Sequence, residues 1–61
     1  MESNQIKIVI ADDEKAILRG LRKILQQLNG VCICADATDG DQLFSSIVSQ
    51  KPDLVITDIC M

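Results

Sequence analysis

Histidine, tryptophan and tyrosine are missing from this 61-residue chain, and Phe44 is its single aromatic residue. An aliphatic core is therefore expected. Without histidine, the three cysteines Cys32, Cys34 and Cys60 are too few to close a zinc site. Their odd number and irregular spacing also exclude a disulfide framework, so packed free thiols in a reducing cytoplasm are expected. No long apolar run is present, so nothing in the sequence spans a bilayer. The polar start Met1-Glu2-Ser3-Asn4-Gln5 carries no signal-peptide pattern. Positive charge is also scarce: the net charge is −3, which argues against a general nucleic-acid surface. Arg19, Arg22 and Lys23 share one helical pattern. They read as a solvated face that suits a helix C-terminus, with a partner-binding patch as the alternative.

What is present is ordinary for a folded chain, at 48% hydrophobic and 25% charged. At this length it forms one domain at most, and a marginal one. Ile6-Lys7-Ile8-Val9-Ile10-Ala11 is β-branched and, apart from Lys7, apolar on both faces. That pattern predicts a parallel strand covered on two sides. Asp12-Asp13-Glu14 follows, where acids suit a helix N-terminus. From Asp13 to Leu28, the apolar residues Ile17, Leu18, Leu21, Ile24, Leu25 and Leu28 form a helical stripe. Asn29-Gly30 is a plausible stop.

Val31-Cys32-Ile33-Cys34-Ala35 predicts a second strand, with both cysteines on one face. Asp36-Ala37-Thr38 leaves it. Asp39 with Gln42 resembles a capping box, and Leu43, Phe44, Ile47 and Val48 give a second helix its stripe. Pro52 ends that helix. Leu54-Val55-Ile56-Thr57 is the third strand and runs into Asp58.

The order β-α-β-α-β with short connections predicts a parallel sheet with right-handed crossovers. If the strand order is 2-1-3, the two helices cover opposite faces. A topological switch then falls between strands 1 and 3, where such sheets bind ligands. Asp12 and Asp13 end the first strand and Asp58 ends the third, so that order brings the acids to one crevice. Order 1-2-3 would keep them apart. Clustered carboxylates repel, and raised pKa values, a nearby lysine or a hard cation must offset them. Lys15 is the one lysine near the crevice. Mg²⁺, which binds carboxylates, a backbone carbonyl and waters, is the natural candidate. The plainer reading is that these acids merely cap elements at a solvated sheet edge.

Ile8-Val9-Ile10-Ala11-Asp12-Asp13-Glu14 and the helix after it resemble the opening of a two-component response-regulator receiver domain. Ala35-Asp36-Ala37-Thr38-Asp39-Gly40 resembles that family's segment between strand 2 and helix 2. Lys51-Pro52-Asp53-Leu54-Val55-Ile56-Thr57-Asp58-Ile59-Cys60-Met61 resembles its phosphoacceptor strand. The resemblance implies an α/β, flavodoxin-like, doubly wound sheet of order 2-1-3, of which residues 1–61 form a truncated receiver. It implies that Asp58 accepts a phosphoryl group from a sensor histidine kinase. It also implies that Asp13 and Asp58 hold Mg²⁺, with Asp12 acting through water and Cys60 through its backbone carbonyl. The chain is then a phosphoacceptor rather than an enzyme. It controls an output, such as transcription, and reaches DNA only through an output domain.

The family's pattern continues with a hydroxyl residue, a lysine and an output face that these residues do not supply. Loss of such an electrostatic donor costs ~10²–10³ in rate, so these residues alone are expected to transfer phosphoryl groups slowly. Strand 3 is also expected to be left as an edge, prone to association. A half-domain that acts only by associating there is the alternative reading. A phosphatase of the haloacid dehalogenase type is disfavoured, because Cys60 stands where that family has a second acid. Dinucleotide binding lacks its Gly-x-Gly-x-x-Gly.

Overall fold

The computed structural model describes residues 5–57. Five elements follow in order: β1 (Ile6–Ala11), α1 (Lys15–Leu25), β2 (Val31–Ala37), α2 (Gly40–Gln50) and β3 (Leu54–Thr57). The three strands form one parallel sheet of order β2-β1-β3. This is the predicted 2-1-3 arrangement, with the doubly wound topology of a flavodoxin-like fold.

The central strand explains the layering. Ile8, Val9, Ile10 and Ala11 are all buried, although neighbours on a strand point to opposite faces. Both faces must therefore be covered. On one, Ile8 and Ile10 pack with Leu18 of α1, joined by Leu21, Leu25, Val31, Ile33 and Ile56. Val9 and Ala11 take the other face, where α2 lies against β2 and β1. Each fully buried aliphatic side chain contributes about 1.5–3 kcal/mol relative to exposure, and Val9 and Ile10 are the largest of these.

β2 differs from its expected form. It runs to Ala37 rather than ending at Ala35, and its register with β1 shifts between Ile8 and Val9. Ile8 aligns with Ile33 and Val9 with Ala35, so Cys34 is the additional residue of a bulge. The Cys34 thiol donates to the Ile8 carbonyl at 3.5 Å. The alternation that would put Cys32 and Cys34 on one face is interrupted there. Both are free thiols and half-buried. The shift also aligns Asp36 with Ile10, on the α1 side of the sheet. Strict alternation from Val31 and Ile33 would have put Ala35 there instead. Arg22 of α1 meets Asp36 at 2.7 Å. Arg22 is thus half-buried and ion-paired, a correction to its expected place on a solvated face.

α1 is shorter than its stripe. It starts at Lys15 rather than Asp13, because the Asp12 carboxylate accepts the Glu14 N–H at 2.9 Å and holds the chain in a turn. It ends at Leu25, and the N–H groups of Gln27 and Leu28 then bond three residues back in a tighter last turn. Gly30 takes the left-handed conformation that closes the connection.

α2 follows its predicted boundaries. Asp39 accepts the Gln42 N–H at 2.8 Å, while the Gln42 side chain accepts from both the N–H and the hydroxyl of Thr38. Its return bond therefore reaches one residue further than a simple capping box. Lys51, with φ 51°, forms the left-handed C-cap before Pro52.

A second clip sets the start of β3. The Asp53 carboxylate accepts the Lys7 N–H at 2.9 Å, and the Asp53 N–H donates to the Lys7 carbonyl at 2.8 Å. The Lys7 ammonium donates to the Gln50 carbonyl at the end of α2. The one polar residue of β1 thus fastens the second crossover to the sheet.

Candidate functional site

The carboxyl ends of the three strands stand level. Ala11 aligns with Ala37 of β2 on one side and Thr57 of β3 on the other. The Asp12 N–H continues the β2 ladder by donating to the Ala37 carbonyl at 3.1 Å. Asp12 and Asp13 therefore begin the loop directly beyond the central strand, at the end of the sheet where β3 also finishes. This is the crevice at the topological switch where α/β sheets of this kind bind ligands.

The two acids differ in their surroundings. Asp12 is half-buried and Asp13 exposed. One Asp12 oxygen, Oδ1, is engaged by the Glu14 N–H, which fixes that carboxylate against its own loop. The Asp13 carboxylate has no hydrogen-bond or ion-pair partner among the described residues. Lys15, the nearest lysine in sequence to these acids, forms no ion pair with either among the described residues. Glu14 is the N-cap of α1 but makes no side-chain capping bond. Neither acid caps α1: the Asp12 carboxylate closes a turn ahead of the helix, and the Asp13 carboxylate bonds to nothing among the described residues.

Asp58 and Cys60 lie outside the described residues. Thr57, the residue before Asp58, is the last one described and is exposed at the end of β3. Among the described residues no three acidic, cysteine or histidine side chains gather into a metal-binding group. The donor set that is described, one free carboxylate beside one partly engaged carboxylate, is all oxygen and suits a hard cation that keeps several waters. No helix among the described residues is long and apolar enough to cross a membrane.

Sequence reasoning missed one feature near this end of the sheet. Lys15, Arg19 and Arg22 of α1 line a cavity of about 210 Å³ with Leu18, Asp36 and Thr38. The available signal was the charge of α1, which holds four of the six basic residues of the chain and no acid.

Residues 8–61 match the family described as the response regulator receiver domain. The chain is 36% identical over 56 residues to the oxygen regulatory protein NreC of Staphylococcus aureus strain JH9, which covers 92% of this chain and 26% of that protein. The NreC of strain USA300 matches to the same extent. Among solved structures, RcsB from Salmonella enterica serovar Typhimurium, bound to promoter rprA in the presence of phosphomimetic BeF3-, superimposes with a TM-score of 0.88 at 31% identity. That match covers 95% of this chain and 29% of the RcsB chain. The chain thus spans between a quarter and a third of the length of these relatives.

Proposed function

Because the chain belongs to the response regulator receiver family, we propose that residues 1–61 are the phosphoacceptor portion of a receiver in a cytoplasmic phosphorelay. Asp58 accepts the phosphoryl group from the phosphohistidine of a sensor histidine kinase. The observation that supports this most strongly is the β2-β1-β3 order. It puts Asp12-Asp13 and the end of the strand leading to Asp58 at the same edge of the sheet.

In this reading, an oxygen of the Asp58 carboxylate attacks phosphorus and the P–N bond to the kinase histidine breaks. The electron pair stays on the imidazole nitrogen, and an acyl phosphate forms on Asp58. Water later cleaves that acyl phosphate and regenerates the carboxylate. Asp13 is the principal metal ligand, since its carboxylate is exposed and free among the described residues. Asp12, with Oδ1 held by the Glu14 N–H, contributes through water. Asp58 and the Cys60 backbone carbonyl complete the protein's share of the site. When bound, Mg²⁺ offsets the repulsion between the acids and the incoming phosphoryl oxygens. The chain is a substrate of the kinase, with at most self-phosphorylation and autodephosphorylation of its own. The phosphorylated receiver controls an output, in our reading transcription, through DNA contacts made outside these residues. The promoter-bound state of RcsB supports that choice.

A second reading has its own observation. β3 forms one border of the described sheet, Leu54 is exposed there, and Phe44 and Val48 of α2 are exposed as well. A half-domain that acts only by associating through the β3 edge accounts for that surface. One experiment separates the two: incubation with Mg²⁺ and a small-molecule phosphoryl donor, followed by mass analysis. An acid- and base-labile phosphate on Asp58, abolished by Asp58→Asn, is the expected result. A folded protein that takes no label leaves the association reading in place.

A further inference from the structure

The charge on α1 is unbalanced in a way the phosphoacceptor site does not use. Lys15, Arg19 and Arg22 are spaced four and three residues apart, so they form one row on the helix. Like charges at that spacing repel, and α1 holds no acid to relieve them. The single ion-pair partner supplied by the rest of the described residues is Asp36, which meets Arg22 at 2.7 Å. That contact uses one N–H donor of the guanidinium, anchors it, and leaves the remainder of its fork for a ligand. Lys15 and Arg19 have no hydrogen-bond or ion-pair partner among the described residues.

All three cations line the same 210 Å³ cavity, whose wall also includes buried Leu18, Asp36 of β2 and Thr38 just beyond that strand. Asp12 and Asp13 do not line it. Three cations against one carboxylate leave two positive charges around a space of small-molecule size. A shallower hollow of about 450 Å³ continues along α1 and shares Arg19 and Arg22 with it. The β2 bulge is what creates the arrangement, because it turns Asp36 to the α1 side of the sheet, where it can orient Arg22.

We propose that this cavity is a second binding site, separate from the Asp12–Asp13 crevice, for a small dianionic oxyanion of the phosphate type. Arg22 supplies a fixed fork, while Lys15 and Arg19 supply the flanking charge.

The test is titration of the full chain with inorganic phosphate in EDTA, followed by amide resonances. EDTA removes divalent cations, so the acidic crevice does not hold the anion. Saturable shifts confined to Lys15–Lys23 and Asp36–Thr38 are expected. Lys15→Gln and Arg19→Gln should each weaken binding by about three- to fivefold, as expected for one exposed charge contact. Lys51→Gln, at the far end of α2, should not change it. Both informative positions are exposed, so their variants should fold, as the same spectra will show. Shifts that rise linearly and are matched by sodium chloride at equal ionic strength would overturn the proposal. So would shifts indifferent to Lys15 and Arg19, or acetate binding as tightly as phosphate.

Discussion

The two crossover helices are held to the sheet by opposite means. α1 is packed but poorly capped. Leu18 is buried against Ile8 and Ile10, with Leu21 and Leu25 behind it. Its N-cap residue Glu14 makes no side-chain bond, and its first turn has no acid. α2 is capped at both ends and lies close over Val9 and Ala11, but it adds no buried side chain of its own. Asp39, Gln42, Thr38 and Lys51 close its ends, and the Lys7 ammonium reaches its last carbonyl. Yet none of its residues is buried, and Phe44 is 68% exposed. Helix stability in a folded chain comes mostly from burial of an apolar face. The contrast shows that, where burial is thin, local hydrogen bonds can still fix where a crossover begins and ends.

Three substitutions sharpen that contrast, each read by denaturant unfolding with circular dichroism. Leu18→Ala should have the largest effect, about 2–5 kcal/mol, since it opens a cavity under the packed helix. Chemical denaturation midpoints close to the parent's would contradict the packed status of α1. Asp39→Ala should cost about 1 kcal/mol by orphaning the Gln42 N–H, and Asp39→Asn should recover most of it. Phe44→Ser should be smallest, within about 0.5 kcal/mol, as for an exposed position away from special contacts. A loss at Phe44 comparable to that at Leu18 would mean that the α2 stripe is covered in solution. Concentration-dependent unfolding would then favour association through that side.

Much of this fold is legible in the sequence because the relevant signals are local. The two-faced apolar run of β1, the Asp39–Gln42 cap and the Pro52 stop each need only a few neighbouring residues. The family resemblance, carried by the residues around Asp12-Asp13 and Asp58, reaches the same fold and is met by the receiver-domain match over residues 8–61. What was not legible is tertiary. No glycine or proline marks the Cys34 bulge, which arises in the pairing of β2 with β1. The Arg22–Asp36 pair joins residues 14 apart and depends on that bulge. The late start of α1 follows from competition between the Asp12 side chain and the helix for the Glu14 N–H. Of the candidate site, Asp12 and Asp13 fall where the 2-1-3 order requires, while Asp58 and Cys60 lie outside the described residues.

That leaves the acidic crevice, where the proposed function rests on one exposed carboxylate, that of Asp13, more than on any other described group. The most direct measurement is the Mg²⁺ affinity of Asp13→Ala, by calorimetry, alongside its unfolding curve. The account predicts an unchanged fold, since the Asp13 side chain is exposed and without a partner among the described residues. It also predicts affinity lowered by about tenfold or more, the scale of losing about 1.4 kcal/mol of binding. Unchanged Mg²⁺ affinity in a folded Asp13→Ala protein would remove Asp13 from the metal site and contradict the proposed route to Asp58.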